Sequence, residues 1–279
     1  MGEEIKKILE MLETGKINTD EAERLINAIS GKKNKGFVVP ASPKIPKEFM
    51  MKVETIPEQV GKAVSAAFGS VGTSGGKKTF SGIDTIKAKI VSGALHFRPA
   101  DGELTIDGTG WPLRTMAENN QLFVDAVNAD LTAKIAPKSK ASLSLVSADF
   151  DAKEIDGEVI VESISGDIEL DDCAGSWSIR SISGDITAEG IAGEFVIASK
   201  SGDIAMKISG DGRYSAKTLS GDVEIELPKG KAVSLQIDQS DGEREIPPEL
   251  ESAIGAPPEN ADIVLAISTK SGNISMKVE

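Results

Sequence analysis

The sequence predicts a mainly β protein: a parallel β-solenoid (β-helix-like) with rungs of ~18 residues, preceded by a small N-terminal α-helical hairpin. Three observations carry that reading. The tetrapeptide Ser165-Gly166-Asp167-Ile168 returns 18 residues on as Ser183-Gly184-Asp185-Ile186, and again as Ser201-Gly202-Asp203-Ile204. It recurs as Ser220-Gly221-Asp222-Val223 and late as Ser271-Gly272-Asn273-Ile274. Between the copies, apolar residues alternate with polar ones, the period of half-buried strands. The composition agrees: 28 glycines and only 4% aromatic residues suit short strands joined by tight turns better than a ligand-lined globular core.

The chain divides into three parts. In residues 1–31, Ile5, Ile8, Leu9 and Leu12 form an apolar stripe at helical spacing, and Gly15 closes that helix. Asn18 and Glu21 read as a capping box that opens a second helix, with Ala22, Leu25, Ile26 and Ile29 as its stripe and Gly31 as its end. Two helices of about three turns bury too little surface to stand alone, so the hairpin is expected to form a homo-oligomer or to dock on a partner.

Residues 32–79 read as a flexible basic linker, with 9 Lys against 3 Glu and with Pro40, Pro43 and Pro46. Within its 44–68 segment, Val60, Val64, Ala67 and Phe68 follow helical spacing after Pro57. That short amphipathic helix would suit peripheral contact with an anionic membrane; a solvated linker helix is the plainer alternative.

Residues 80–279 hold the repeat. Val159, Trp177, Phe195 and Tyr214 align in one column, and Val161, Ile179, Ile197 and Ala216 in the next. Past the turn, Phe150, Ile168, Ile186, Ile204 and Val223 form a third. No rung closes a core alone, so stacking of like residues supplies the burial. Asp167 interrupts the six-residue apolar spacing of a three-sided helix, which points to a flatter, two-sheeted coil. Residues 86–91, 102–106, 121–127 and 131–136 read as less regular strands of the same body. Residues 241–260, rich in Pro, Glu and Ala, read as an inserted surface loop, with strands resuming at 261–267 and 273–278.

The net charge of −13 is uneven: residues 80–279 carry 18 Lys and Arg against 34 Asp and Glu. A polyanion would be repelled by that surface, which argues against nucleic acid and towards cationic peptides or basic protein faces. Solubility of a long β protein is the plainer account of the same charge. The candidate ligand column is Asp149, Asp167, Asp185, Asp203 and Asp222, expected one strand spacing of about 4.8 Å apart. Gly166, Gly184, Gly202 and Gly221 stand beside them. Either calcium bridges these carboxylates, or each Asp accepts turn amides while its Gly takes positive φ. The missing glycine-rich nonapeptide and second acidic column favour the structural turn.

Ser163, Ser181, Ser199 and Thr218 read as a hydroxyl ladder serving buried backbone groups. Cys173, the only cysteine, falls in an apolar column with Ile155 and Ile191, and a single cysteine allows no intrachain disulfide. His96 is the only histidine, with no Ser/His/Asp arrangement legible around it. No glycine loop opens a helix to cradle a phosphate. No catalytic residue, metal or cofactor is therefore expected. No signal-length apolar run follows Glu3, Glu4, Lys6 and Lys7, and no segment reaches the ~18 apolar residues of a membrane span. A cytoplasmic location is expected, with membrane or cell-surface association as the alternative.

The turns, and strands such as Val159–Ser163 and Ile179–Ser181 before them, resemble bacterial adhesin-type β-strand-repeat proteins, a domain of unknown function. The strand–Pro–strand run of Leu131–Pro137 and Ser142–Ser147 matches as well. The hairpin, with its Gly15-Lys16-Ile17 turn and Asp20-Glu21-Ala22-Glu23 start, is similar to the SHOCT-like module often attached to them. Together they resemble the LiaX-type architecture of Gram-positive bacteria. The resemblance implies a solenoid without established catalytic residues, linked to cell-envelope stress and antimicrobial-peptide responses. The expected function is a non-enzymatic scaffold or sensor that binds a cationic peptide or protein. The alternative is a purely structural, self-assembling or adhesin-like solenoid without a specific ligand.

Overall fold

Alternation with a period of two, punctuated by glycine turns, becomes a ladder of parallel strands. A computed structural model describes residues 76–279; the hairpin of 1–31 and the 44–68 segment lie outside them. The regular middle consists of β5 (Ser139–Lys153), β6 (Asp156–Ser165), β7 (Ile168–Asp171), β8 (Ala174–Ser183), β9 (Ile186–Ser201), β10 (Ile204–Ser220) and β11 (Val223–Leu227). Each rung makes one longer and one shorter extended run, separated by the Ser-Gly-Asp turn. Both runs pair in parallel with the equivalent runs of the next rung.

The expected columns are the observed registers. Val159 pairs with Trp177, Trp177 with Phe195, and Phe195 with Tyr214. Trp177 and Phe195 stack with centroids 6.0 Å apart and planes 5° apart; Phe195 and Tyr214 stack at 6.1 Å and 14°. The indole N–H of Trp177 donates to the Ala174 carbonyl at 2.9 Å, and the Tyr214 hydroxyl donates to the Gly210 carbonyl at 2.8 Å. With their polar ends satisfied, these large rings can be fully buried without an orphaned donor. They belong to one continuous core that runs through the solenoid from Ile86 to Met276.

The ends depart from simple succession. At the N-terminal end lie β1 (Lys78–Phe80), β2 (Thr85–Pro99), β3 (Leu104–Glu118) and β4 (Gln121–Ile135). Their order in space is β1-β3-β4-β2-β5. β2 and β4 are parallel rungs, but β3 turns back and runs antiparallel to β4. The expected strand at 102–106 is therefore only the beginning of a 15-residue reversed strand, and 121–127 and 131–136 merge into β4.

Residues 241–260 are mostly exposed, as a surface loop is, but they do more than connect. β12 (Val233–Gln239) and β13 (Arg244–Glu245) form the outermost rung, while β14 (Ile263–Ser271) and β15 (Ile274–Val278) return to fill the place between it and β10/β11. Two 3-10 helices, Pro248–Ala253 and Pro258–Asn260, lie in the connection. Leu250 and Ala253 are buried, Gly255 donates its N–H to the Leu235 carbonyl at 2.9 Å, and the Ser234 hydroxyl donates to the Ala256 carbonyl at 2.6 Å. The segment is a partial cap: an outermost strand exposes unpaired backbone groups and core side chains, and this stretch covers some of each around Leu235.

Candidate functional site

The Ser-Gly-Asp turns form one continuous ladder. The N–H of Asp167 donates to Asp149 Oδ1 at 3.0 Å, Asp185 to Asp167 at 3.0 Å, Asp203 to Asp185 at 2.9 Å and Asp222 to Asp203 at 2.8 Å. Asn273 continues the series onto Asp222 at 2.7 Å, and Glu243 onto Asn273 Oδ1 at 2.9 Å. Each aspartate accepts the turn amide of the neighbouring rung, so a column of like charges becomes a row of charge-assisted hydrogen bonds. Sequence reasoning pointed to turn amides; that they come from the adjacent rung is a feature of the stacked structure.

The glycines have a steric reason. Gly166, Gly184, Gly202 and Gly221 have φ of +118°, +115°, +141° and +149°. A Cβ on Gly184 would collide with the Gly166 carbonyl oxygen of the rung beside it. Backbone conformation and close approach thus demand glycine together. Behind the turns, Ser163 and Ser181 donate to the carbonyls of Ser165 and Ser183 at 3.3 and 2.9 Å, and Thr218 to that of Gly202 at 3.4 Å. The Ser199 hydroxyl is buried and meets no partner among the described residues.

One oxygen of each carboxylate is committed to the ladder. The second oxygen of Asp222 accepts from the Asn273 side chain at 3.3 Å. Those of Asp149, Asp167, Asp185 and Asp203 meet no protein partner among the described residues and face outward from exposed turns. No group of three or more His, Cys, Asp or Glu side chains among the described residues is arranged to hold a metal ion.

The family model described as Toastrack DUF4097 matches residues 76–277, which contain every turn of this ladder. The chain belongs to the Toastrack DUF4097 family. A SHOCT-like domain model matches residues 3–34. Among solved structures, this Toastrack chain is similar to a candidate cell adhesion protein from Clostridium sporogenes, with 13% identity and a TM-score of 0.31 over 73% of this chain and 98% of the other. It is also similar to a candidate adhesin from Bacteroides fragilis, with 14% identity and a TM-score of 0.38 over 73% and 96%, and to one from Parabacteroides distasonis, with 10% identity and 0.35 over 73% and 97%. The comparison with curated proteins yields no match.

A second polar cluster, on the outer face of the first Toastrack rungs, was not legible in the sequence. His96 on β2 lies between two carboxylates: its Nδ1 is bonded to Asp151 on β5, and its Nε2 is 3.4 Å from Asp130 on β4. Arg98 bonds the same Asp151 carboxylate at 2.7 Å. Burial alone would raise the Asp151 pKa, but the hydrogen bonds from Arg98 and His96 outweigh it and hold the carboxyl below its ordinary range. The three strands meet only because β4 and β5 flank β2. Cys173 is buried, and desolvation pushes its thiol up to about 11, which removes it as a nucleophile at neutral pH.

Proposed function

We propose that this Toastrack protein is a non-enzymatic scaffold or sensor linked to the bacterial cell envelope, whose acidic solenoid binds a cationic peptide or basic protein face. The observation that carries this reading is the column of four outward carboxylate oxygens, on Asp149, Asp167, Asp185 and Asp203, in a body with a large acidic excess. Rungs stand about 4.8 Å apart. A helical peptide with basic residues at i, i+3 and i+4 repeats its charges about every 4.5–6 Å along its axis, close to that spacing. An extended peptide repeats each face about every 6.6–6.8 Å and falls out of register within two rungs. The LiaX-type resemblance supports the link to envelope stress. Homo-oligomerisation through the hairpin and peripheral membrane contact through residues 44–68 complete the proposal, on the cytoplasmic side or at the cell surface. Among the described residues no helix is long and apolar enough to cross a membrane.

The test is a titration of a fluorescent, helix-forming cationic peptide against the full chain, at low and at physiological salt. Saturable binding that survives salt and weakens when Asp167 and Asp185 are both changed to Asn supports the reading. Binding that vanishes at physiological salt reduces the contact to bulk charge.

A further inference from the structure

A cleft of about 470 Å³ opens on the outer face of β3 and β4, away from the turn column. Its walls are cross-strand pairs: Thr105 opposite Lys134, Asp107 opposite Thr132, and Thr109 opposite Asp130. Gly108 lies among them at φ +144°, where a Cβ would collide with the Asp130 carbonyl oxygen, so only glycine lets the two strands close here. Gly76 donates its N–H to the Gly108 carbonyl at 2.9 Å and thereby brings Lys77 to the rim.

Along the shorter run the charges of this cleft differ from those of the rungs beyond it. On the outer face of the shorter run, cations meet acids of adjacent strands. Arg98 is bonded to Asp151 at 2.7 Å, Lys153 to Asp171 at 2.6 Å, Lys207 to Glu226 at 2.9 Å, and Lys277 to Glu224. Lys134 stands beside Arg98 in register, yet neither it nor Lys77 has an acid partner among the described residues. The hydroxyls of Thr105, Thr109 and Thr132 are likewise without a protein partner there. Two unpaired ammonium groups and three hydroxyls are thus presented together with two carboxylates, and no apolar side chain lines the cleft.

We infer that this cleft binds an anionic carbohydrate: a hydroxyl-rich ring bearing a carboxylate or phosphate. Lys77 and Lys134 take the anionic group, while Asp107 and Asp130 accept hydrogen bonds from ring hydroxyls and the threonines donate or accept as needed. The volume lies within the range of small-ligand sites. At one edge of the cleft His96, held by Asp151, which Arg98 also binds, stands 3.4 Å from Asp130. This site is independent of peptide binding at the turns.

The experiment is calorimetric and NMR titration of the full chain with glucuronate, glucose 6-phosphate, glucose and inorganic phosphate. Saturable binding of at least one of the two sugar acids is expected, the pair distinguishing carboxylate from phosphate. Affinity should fall at least about tenfold in Lys134→Gln and in Asp107→Asn, and stay unchanged in Lys207→Gln. Glucose and inorganic phosphate should each bind at least about tenfold more weakly than the preferred sugar acid. All these substitutions are at exposed positions, and matching melting curves confirm that the variants fold. No saturable binding of either sugar acid up to about 10 mM overturns the inference. So does inorganic phosphate binding as tightly as the sugar acid, or indifference to Lys134→Gln.

Discussion

From β6 to β11 the chain climbs one rung at a time, each run pairing with the one made ~18 residues earlier. At both ends it skips a place and returns: β4 lies outside β2, and β12/β13 lie outside β14/β15. The middle is held by repetition, with stacked rings, stacked aliphatics and one amide per aspartate. The ends are held by long-range insertion. β15, although last in sequence, is paired on both sides at its start, by β11 and by β13. The ends also differ from one another. The C-terminal one is covered by residues 248–257, whereas the N-terminal one closes on antiparallel β3, which β1 pairs only along Leu104–Ile106. A repeat specifies how one rung sits on the next; it does not specify how the stack stops, and each end here uses a different element to do so.

The largest effect should come from the middle. Trp177→Ala removes a fully buried ring from the stacked column and should cost about 3–5 kcal/mol, read by denaturant unfolding. Leu250→Ala, in the C-terminal cap, should cost about 2–3 kcal/mol. Its loss of hydrogen-exchange protection should be confined to β12 and its neighbours, while Trp177→Ala loosens several rungs. A cap variant that unfolds the whole solenoid as readily as the core variant would erase the distinction between middle and end.

The turn ladder offers a finer test. Asp185→Ala leaves the Asp203 amide without its acceptor and should cost about 0.5–1 kcal/mol, as expected for an exposed hydrogen bond. Asp185→Asn keeps the acceptor and lowers the column's charge, so its stability should stay near that of the parent; Asn273 already occupies an equivalent place. An Asn variant as damaged as the Ala variant would show that the charge itself is needed. The smallest effect concerns the N-terminal rungs. The folded Asp151 has a lowered pKa, so its contribution is present above the carboxylate value of the unfolded chain and is lost as pH falls through the folded value. Asp151→Asn should therefore lessen stability at neutral pH and flatten the acid limb of a stability–pH curve. A curve of unchanged shape would mean that the His96–Asp151–Arg98 contacts contribute nothing to stability.

How much of this was legible follows from what each residue senses. Trp177, Phe195 and Tyr214 could be aligned on paper because their neighbours lie one period away, and the same held for Asp167 and Gly184. The contacts of His96 could not be found this way. Its partner Asp130 lies two strands further along the chain, on a strand that inserts beside β2 only because β3 reverses. Nothing local in 104–118 signalled that reversal, since alternation in a strand is the same read in either direction. The capping role of residues 241–260 stayed hidden for a related reason: a mostly exposed, Pro- and Glu-rich stretch looks like a plain solvated loop until the apolar end that Leu250 and Ala253 cover is known.

The sequence alone therefore determined the solenoid, its rung length, the inward columns and the need for glycine at the turns, because all of these arise between residues one repeat apart. Only the tertiary structure decided which rung is outermost, what caps it, which amide each aspartate accepts, and which charges meet on the outer face. Those depend on the order in which strands are placed in space, and strand order is set by burying the last open edges rather than by any local pattern.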